Sequence, residues 1–279
     1  MFRKSISSVL IASVALAVIL AVAAIVTYVT RSTYGLALAL NEQAMRQMGQ
    51  NTQRALDLYM DGAQAMVHTL SGQRAVIEAL EGDTERADGY LKLYLGANTN
   101  LQAVLVFDVS GKAVVGREAG GRNLAGTDLS TRDYARDVLG GLEQQKTRQV
   151  ILVGQDNAKV TAIPLSRVVK SSDGRILGGV AVLARWDLFT KEFIDPVRFG
   201  ERGYPFMLDA QGRTIAHATS KAEILAPPDE INLKALHLKN GELSYEWKGE
   251  KKVLLVTTDP DTGWVTCMSA YVSELAETA

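Results

Sequence analysis

The sequence predicts an α+β protein carried on an N-terminal membrane helix, and three observations predict it. No charge occurs from Ser5 to Thr30; apolar residues then recur at three- and four-residue steps to about Leu80; beyond residue 100 the period changes to that of strands. The change is made once and then repeated, so two copies of one antiparallel-sheet unit are expected. As a helix, the uncharged run is ~39 Å long at about 1.5 Å per residue, more than the about 30 Å hydrocarbon core of a bilayer. A cleaved leader with a site near Ala21-Val22-Ala23 is the alternative, but the apolar run far exceeds the ~7–15 residues of a leader's apolar region. Arg3 and Lys4 precede the run and Arg31 follows it. That weak charge bias places the N-terminus in the cytoplasm and the remainder outside it, periplasmic or extracellular. The chain stops at Glu274-Leu-Ala-Glu-Thr-Ala279, and a second span and an output domain are expected to follow in a longer protein.

The helical stripe after the span comprises Met45, Met48, Leu56, Tyr59, Met60, Ala63, Met66, Val67 and Leu70. Its distal half should pack on the folded domain, and its membrane-side half is a candidate dimer seam. A shorter helix is expected around Asp83–Leu95, burying Ala87, Leu91, Tyr94 and Leu95. Two hairpins of one design follow. The first is Ala103–Asp108, a turn at Val109-Ser110-Gly111, and Lys112–Gly116; the second is Pro205–Asp209, a turn at Ala210-Gln211-Gly212, and Arg213–His217. Asp at the turn entry accepts backbone N–H groups and Gly supplies a positive φ, so Asp108 and Asp209 are read as turn formers. Each hairpin leads to a second strand pair, Lys159–Leu165 with Ile176–Ala184 and Lys251–Thr258 with Trp264–Ser269. The copies are linked by a short helical stretch within Asp187–Arg202.

Composition excludes several function classes. The 279 residues are 47% hydrophobic and 22% charged, with 30 Lys and Arg against 31 Asp and Glu, a net charge of −1. A nucleic-acid binder normally carries a basic excess. One cysteine, Cys267, excludes an intrachain disulfide, and His68, His217 and His237 share no zinc-ligand spacing. No nucleophile elbow, zinc-protease helix, P-loop or dinucleotide fingerprint occurs, so neither an enzyme nor a cofactor is expected. A purely structural surface subunit is the remaining rival.

The first copy holds Asp108-x-x-Gly111, Leu129-Ser-Thr-Arg-Asp-Tyr134, Ile163-Pro164 and Asp173-Gly-Arg-Ile-Leu-Gly-Gly179. The second holds Phe199–Tyr204, Asp209-x-x-Gly212 and Thr262-Gly-Trp264. In the order and spacing of these motifs the sequence resembles the double Cache sensor region of bacterial chemoreceptors and sensor kinases. The resemblance implies two PAS-like Cache modules. The boundaries are then 1–31 for the cytoplasmic tip and transmembrane helix, 32–82 for a long stalk helix, 83–195 for a membrane-distal ligand-binding module and 196–279 for a membrane-proximal one. It also implies a methyl-accepting chemotaxis receptor or a related sensor, dimeric through the stalk. Other outputs of such input regions are a sensor histidine kinase or a cyclic-dinucleotide enzyme.

The Gly-rich polar stretch Arg117–Tyr134, lying between a strand and a helix, is the expected cap of the site. Arg132 is the first candidate, since a guanidinium clamps a carboxylate with two hydrogen bonds. Its bland alternative is a local pair with Asp128 or Asp133. Tyr134, Asp133, Arg117 and Arg122 are further candidates, as are Asp156 and Lys159 from the following loop. Relatives that recognise amino acids carry Arg-x-Trp-Tyr in this loop and an Asp near the end of the strand after the Gly-Gly turn. Here Arg132-Asp-Tyr134-Ala135 lacks the Trp-Tyr pair and Leu183 falls where the Asp would be. A small organic carboxylate is therefore expected, with an amino acid held through Asp156 as the alternative. His217 is expected as a satisfied surface histidine, Trp264 as core, Tyr204 as a core contact, and Lys248–Lys252 as a solvated hairpin.

Overall fold

The computed structural model describes residues 6–145, 148–154 and 160–277. Helix α1 (Ile6–Ser71) is continuous over 66 residues, which corresponds to ~99 Å. Its N-terminal part holds an 18-residue window of mean hydropathy 2.4 with none of it buried, long and apolar enough to cross a membrane. Past this window one stripe of the same helix turns inward: Met45, Leu56, Met60, Ala63, Val67 and Leu70 are each 5% exposed or less. The helix was expected to run to about Leu80 but breaks at Gly72-Gln73, and a separate short helix α2 (Arg74–Leu80) follows. Helix α3 (Glu85–Ala97) buries Ala87, Leu91 and Leu95, as its period predicts.

Two five-stranded antiparallel sheets follow. The first holds β1 (Leu101–Asp108), β2 (Ala113–Glu118), β3 (Ile151–Val153), β4 (Val160–Lys170) and β5 (Ile176–Arg185), in the order β2-β1-β5-β4-β3. Helix α4 (Asp133–Leu139) lies between β2 and β3, and α5 (Trp186–Phe193) links the sheets. The second sheet repeats the order as β7-β6-β10-β9-β8, from β6 (Tyr204–Leu208), β7 (Thr214–His217), β8 (Gly241–Trp247), β9 (Glu250–Thr258) and β10 (Val265–Tyr271). Helix α6 (Glu230–Leu238) occupies the place of α4, and α7 (Val272–Glu277) follows β10.

Both hairpin turns form as the sequence predicts. The Asp108 carboxylate accepts the N–H groups of Ser110 and Lys112, and the Asp209 carboxylate those of Gln211 and Arg213. Gly111 and Gly212 supply φ of 83° and 81°.

Strand alternation gives each sheet two apolar faces. On the inner face of the first sheet Val104, Val106, Ile163, Leu165, Val180 and Val182 join α1, α2 and α3 in one core. That core continues into the second module through Trp186, Met207, Ile215 and Trp264. Trp186 stacks on Phe189 at 4.6 Å and meets Trp264 edge-on at 5.3 Å, and its indole N–H donates to the Ile215 carbonyl. The outer face of the first sheet carries Ala103, Leu105, Phe107, Ala181 and Leu183 beneath α4. Met45 of α1 packs on the inner face of the second sheet, with Val253, Leu255 and Met268. The second sheet therefore meets α1 nearer its apolar end and the first sheet meets it farther along.

The Gly178-Gly179 pair of β5 has a steric role. Gly179 pairs with Phe107 across the ladder, and a Cβ there would stand 2.4 Å from the ring. The Phe107 ring is fully buried and has nowhere to retreat. Gly179→Ala should therefore lower unfolding stability by about 1–3 kcal/mol, measured by urea unfolding of the detergent-solubilised chain.

Candidate functional site

Alternation along β2 decides which of the candidate residues meet. Gly116 and Glu118 face the outer side of the first sheet, with Leu105 and Leu124 against Gly116. Arg117, between them, points to the opposite face, where its guanidinium makes a two-pronged pair with Asp88 of α3. That pair holds the Asp88 carboxyl below the usual carboxylate range. Arg117 is thus removed from the outer-face site by the pleat of its own strand.

The outer face is left incompletely covered where α4 begins and the 122–129 segment runs along the free edge of β2, its backbone bonded to Gly111, Ala113 and Gly116. The result is a cavity of about 220 Å³ whose lining includes Glu118, Arg122, Arg132, Tyr134, Ile151 and Leu183. Arg132 is the residue preceding α4, and its backbone carbonyl accepts the Ala135 and Arg136 N–H groups. Its exposed side chain makes no hydrogen bond or ion pair among the described residues. Neither local pair expected for it forms: Asp133 is taken by Arg136, and Asp128 accepts the Ser130 N–H. Asp133 is partly exposed and does not line the cavity. Tyr134 is 4% exposed, packs with Leu105, Leu129 and Leu183, and has its phenol pushed up by burial. Its backbone carbonyl accepts the Ser166 hydroxyl, which fastens α4 to β4.

Arg122 reaches the cavity already paired. Its Nε donates to Glu118 at 2.6 Å, while the other Glu118 oxygen accepts from Gln102 at 3.1 Å. Glu118 was not foreseen, although its strand parity with Gly116 carried the signal. Asp156 and Lys159 lie outside the described residues. Among the described lining residues two guanidiniums face one carboxylate, a net charge of +1 on an otherwise apolar floor. Such a cavity can hold a small anion.

The second sheet has a corresponding cavity of about 110 Å³ beneath α6, lined by Tyr204, Phe206, His217, Glu223, Asp229 and Tyr245 among others. Three expectations are corrected here. His217 is 5% exposed, because β7 carries it onto a covered face. Tyr204 is a half-buried cavity wall rather than a core contact alone. Lys252 is 1% exposed rather than solvated, because it shares strand parity with Leu254 and Val256. Its ammonium lies 4.5 Å from the Tyr204 ring centre and 4.6 Å from that of Tyr271. Arg202 rests on the other aromatic partner, Tyr271, at 3.9 Å, and pairs with both Glu250 and Glu274. Glu274 belongs to α7, so the aromatic cluster is tied directly to the last helix. Trp264 is fully buried, as expected.

A long helix with an apolar N-terminal part, two like-ordered sheets and a cavity on the outer face of each define a tandem α+β module. The model of the Cache domain family (dCache_1) matches residues 30–279, and the chain belongs to that family. Among solved structures it is similar to the ligand-binding domain of the Campylobacter jejuni chemoreceptor Tlp3 in complex with 4-methylisoleucine. That match has 16% identity and a TM-score of 0.66, covering 88% of this chain and 94% of that one. The Tlp3 sensory domain with isoleucine bound has 16% identity and a TM-score of 0.64, over 88% and 97% of the two chains. The extracellular domain of the putative histidine kinase vpHK1S-Z8 has 11% identity and a TM-score of 0.67, over 88% and 96%. At these identities the likeness is one of fold. No curated protein matches the sequence.

Burial brings the Lys252 ammonium down to about 8, with Arg202 as the next cause. The folded state then holds this proton less tightly than the unfolded chain does. Folding stability should rise as pH increases from about 8 towards the ordinary lysine value of ~10.4, with the full cost present below 8. Lys252→Met should raise stability at pH 7 by about 1 kcal/mol and flatten that rise, as read from melting curves across pH 7–10.

Proposed function

We propose that this chain is the ligand-sensing region of a transmembrane receptor, and that the outer-face cavity of the first module binds a small organic carboxylate. The single observation that carries this is Arg132, unpaired among the described residues at the rim of a cavity whose described lining has a net positive charge. A bound carboxylate would take the two-pronged place that Asp128 and Asp133 leave vacant. Tyr134 and Leu183 would form the wall against its carbon skeleton. The likeness to Tlp3 and histidine-kinase domains supports a sensory rather than a catalytic role. We assign residues 1–31 to a cytoplasmic tip and span, 32–82 to the stalk, 83–195 to the distal module and 196–279 to the proximal one. The span's mean hydropathy of 2.4 supports anchoring in the cell membrane. Leu36, Leu40 and Leu58, all more than half exposed on α1, support pairing of two stalks. Methyl-accepting chemotaxis is the output we favour, with a histidine kinase or cyclic-dinucleotide enzyme as the alternatives.

An amino acid is the second reading. The Tlp3 structures contain isoleucine, L-valine and related molecules, and Glu118 puts a carboxylate in the cavity. Glu118 is already held by Arg122 and Gln102, so an ammonium group would have to displace one of them. Leu183, 7% exposed in the lining, offers no counter-charge.

Calorimetric titration of the chain in nanodiscs against mono- and dicarboxylates, their amides and L-amino acids tests the assignment. Carboxylates should bind and amides should bind at least tenfold more weakly, because a guanidinium without its partner loses its main interaction. Arg132→Ala should abolish the signal without altering the melting curve, and Arg132→Lys should restore little of it. Binding of an L-amino acid alone, or normal binding by Arg132→Ala, would refute the proposal.

A further inference from the structure

The carboxylate assignment leaves the second cavity without a role, although its walls are more elaborate than those of the first. The residue preceding α4 in the first module is Arg132; the residue preceding α6 in the second is Asp229. The charge at equivalent positions is therefore reversed. One Asp229 oxygen accepts the Asn232 N–H and caps the helix. Among the described residues no Lys or Arg lies within ion-pair distance of Asp229 or of Glu223, the other lining carboxylate.

His217 gives independent evidence of an open valence. Its Nδ1 accepts N–H groups from Ser220 at 2.9 Å and Thr219 at 3.3 Å, which fixes the neutral tautomer with the proton on Nε2. That Nε2–H makes no hydrogen bond among the described residues, and Glu223 Oε2 stands 3.4 Å away. A 5% exposed imidazole thus lines the cavity beside Glu223, a carboxylate without a Lys or Arg partner among the described residues. The remaining walls are aromatic. Tyr204 lies 4.8 Å from the imidazole, Tyr245 stands across the cavity floor, and Trp247 is 40% exposed in its lining. Aromatic faces joined to carboxylates attract organic cations. Two built-in cations stand nearby and neither lines the cavity: Lys221 donates to the His217 carbonyl at 3.0 Å and pairs with Asp195, and Lys252 rests on Tyr204. About 110 Å³ corresponds to roughly four water volumes, enough for a small molecule only.

We propose that the cavity of the second module is a binding site for a small organic ammonium ion. Asp229 and Glu223 are its counter-charges, Tyr204, Tyr245 and Trp247 its walls, and His217 Nε2–H, 3.4 Å from Glu223, lies beside them. This site is separate from the carboxylate cavity and takes ligands of opposite charge.

The test titrates the full chain in nanodiscs with ethanolammonium chloride and tetramethylammonium chloride, with potassium chloride at equal ionic strength as the control. Melting temperature and tryptophan fluorescence are the readouts. At least one of the two cations should raise the melting temperature saturably and change the fluorescence. Asp229→Asn, which keeps a good helix cap, combined with Glu223→Gln should weaken binding at least tenfold with the cation-free melting curve little changed. Tyr245→Phe should retain most of the affinity, since it keeps the ring. Arg132→Ala should leave amine binding intact, so failure of the carboxylate assignment and failure of this one are read separately. No response beyond the potassium control overturns the proposal, as does wild-type affinity in the double variant. Amine binding lost in Arg132→Ala overturns it too, since the cation would then sit in the first module.

Discussion

The architecture depends on one stripe of α1. Two antiparallel sheets with apolar residues on both faces need cover on both, and α1 runs along the inner faces of both, joined at the first by α2 and α3. Met45 serves the second sheet, and Leu56, Met60, Val67 and Leu70 serve the first. Among the described residues only short helices are left for the outer faces, α4 with 7 residues and α6 with 9. Neither is long enough to cover a five-stranded sheet. The cavities lie where that cover runs out, so they follow from how the inner faces are buried.

The same cover in two modules carries different chemistry. In the first, a guanidinium unpaired among the described residues stands at the rim, and the floor is Ala103, Leu105 and Leu183. In the second, Tyr204 and Ser269 stand in register where the first module has Ala103 and Leu183. These substitutions within one ladder turn an apolar floor into a hydroxylated, aromatic one. The two modules share the hydrogen-bonded frame and differ at the outward-facing positions.

Much of this was legible in sequence because local chemistry determined it. Asp108 and Asp209 form their turns with groups two and four residues away, so nothing distant could override them. The period change beyond residue 100 and the repeat of the hairpins required only alternation. What the structure adds divides into two kinds. Arg117 and Lys252 obeyed strand parity, and counting from Gly116 or Leu254 would have placed each on its observed face. The free state of Arg132 and the enclosure of His217 were not countable. They depend on how α4 and α6 seat across their sheets, which is fixed by contacts such as Ser166 with the Tyr134 carbonyl, far apart in the chain.

At the base of the second module the Asn41 amide of α1 donates to the Leu275 carbonyl of α7, and Glu274 is clamped by Arg202 and by the Glu201 and Arg202 backbone. The path in and the path out of the folded unit are thus pinned side by side. A body with adjoining entry and exit can be spliced into a bend of a host protein without forcing the host's flanking pieces apart. The two tandem sheets are in this sense a removable head on a narrow neck. Exchange of one head for another would turn on the residues where α1 and α7 meet, Leu38, Asn41, Met45, Val272 and Leu275.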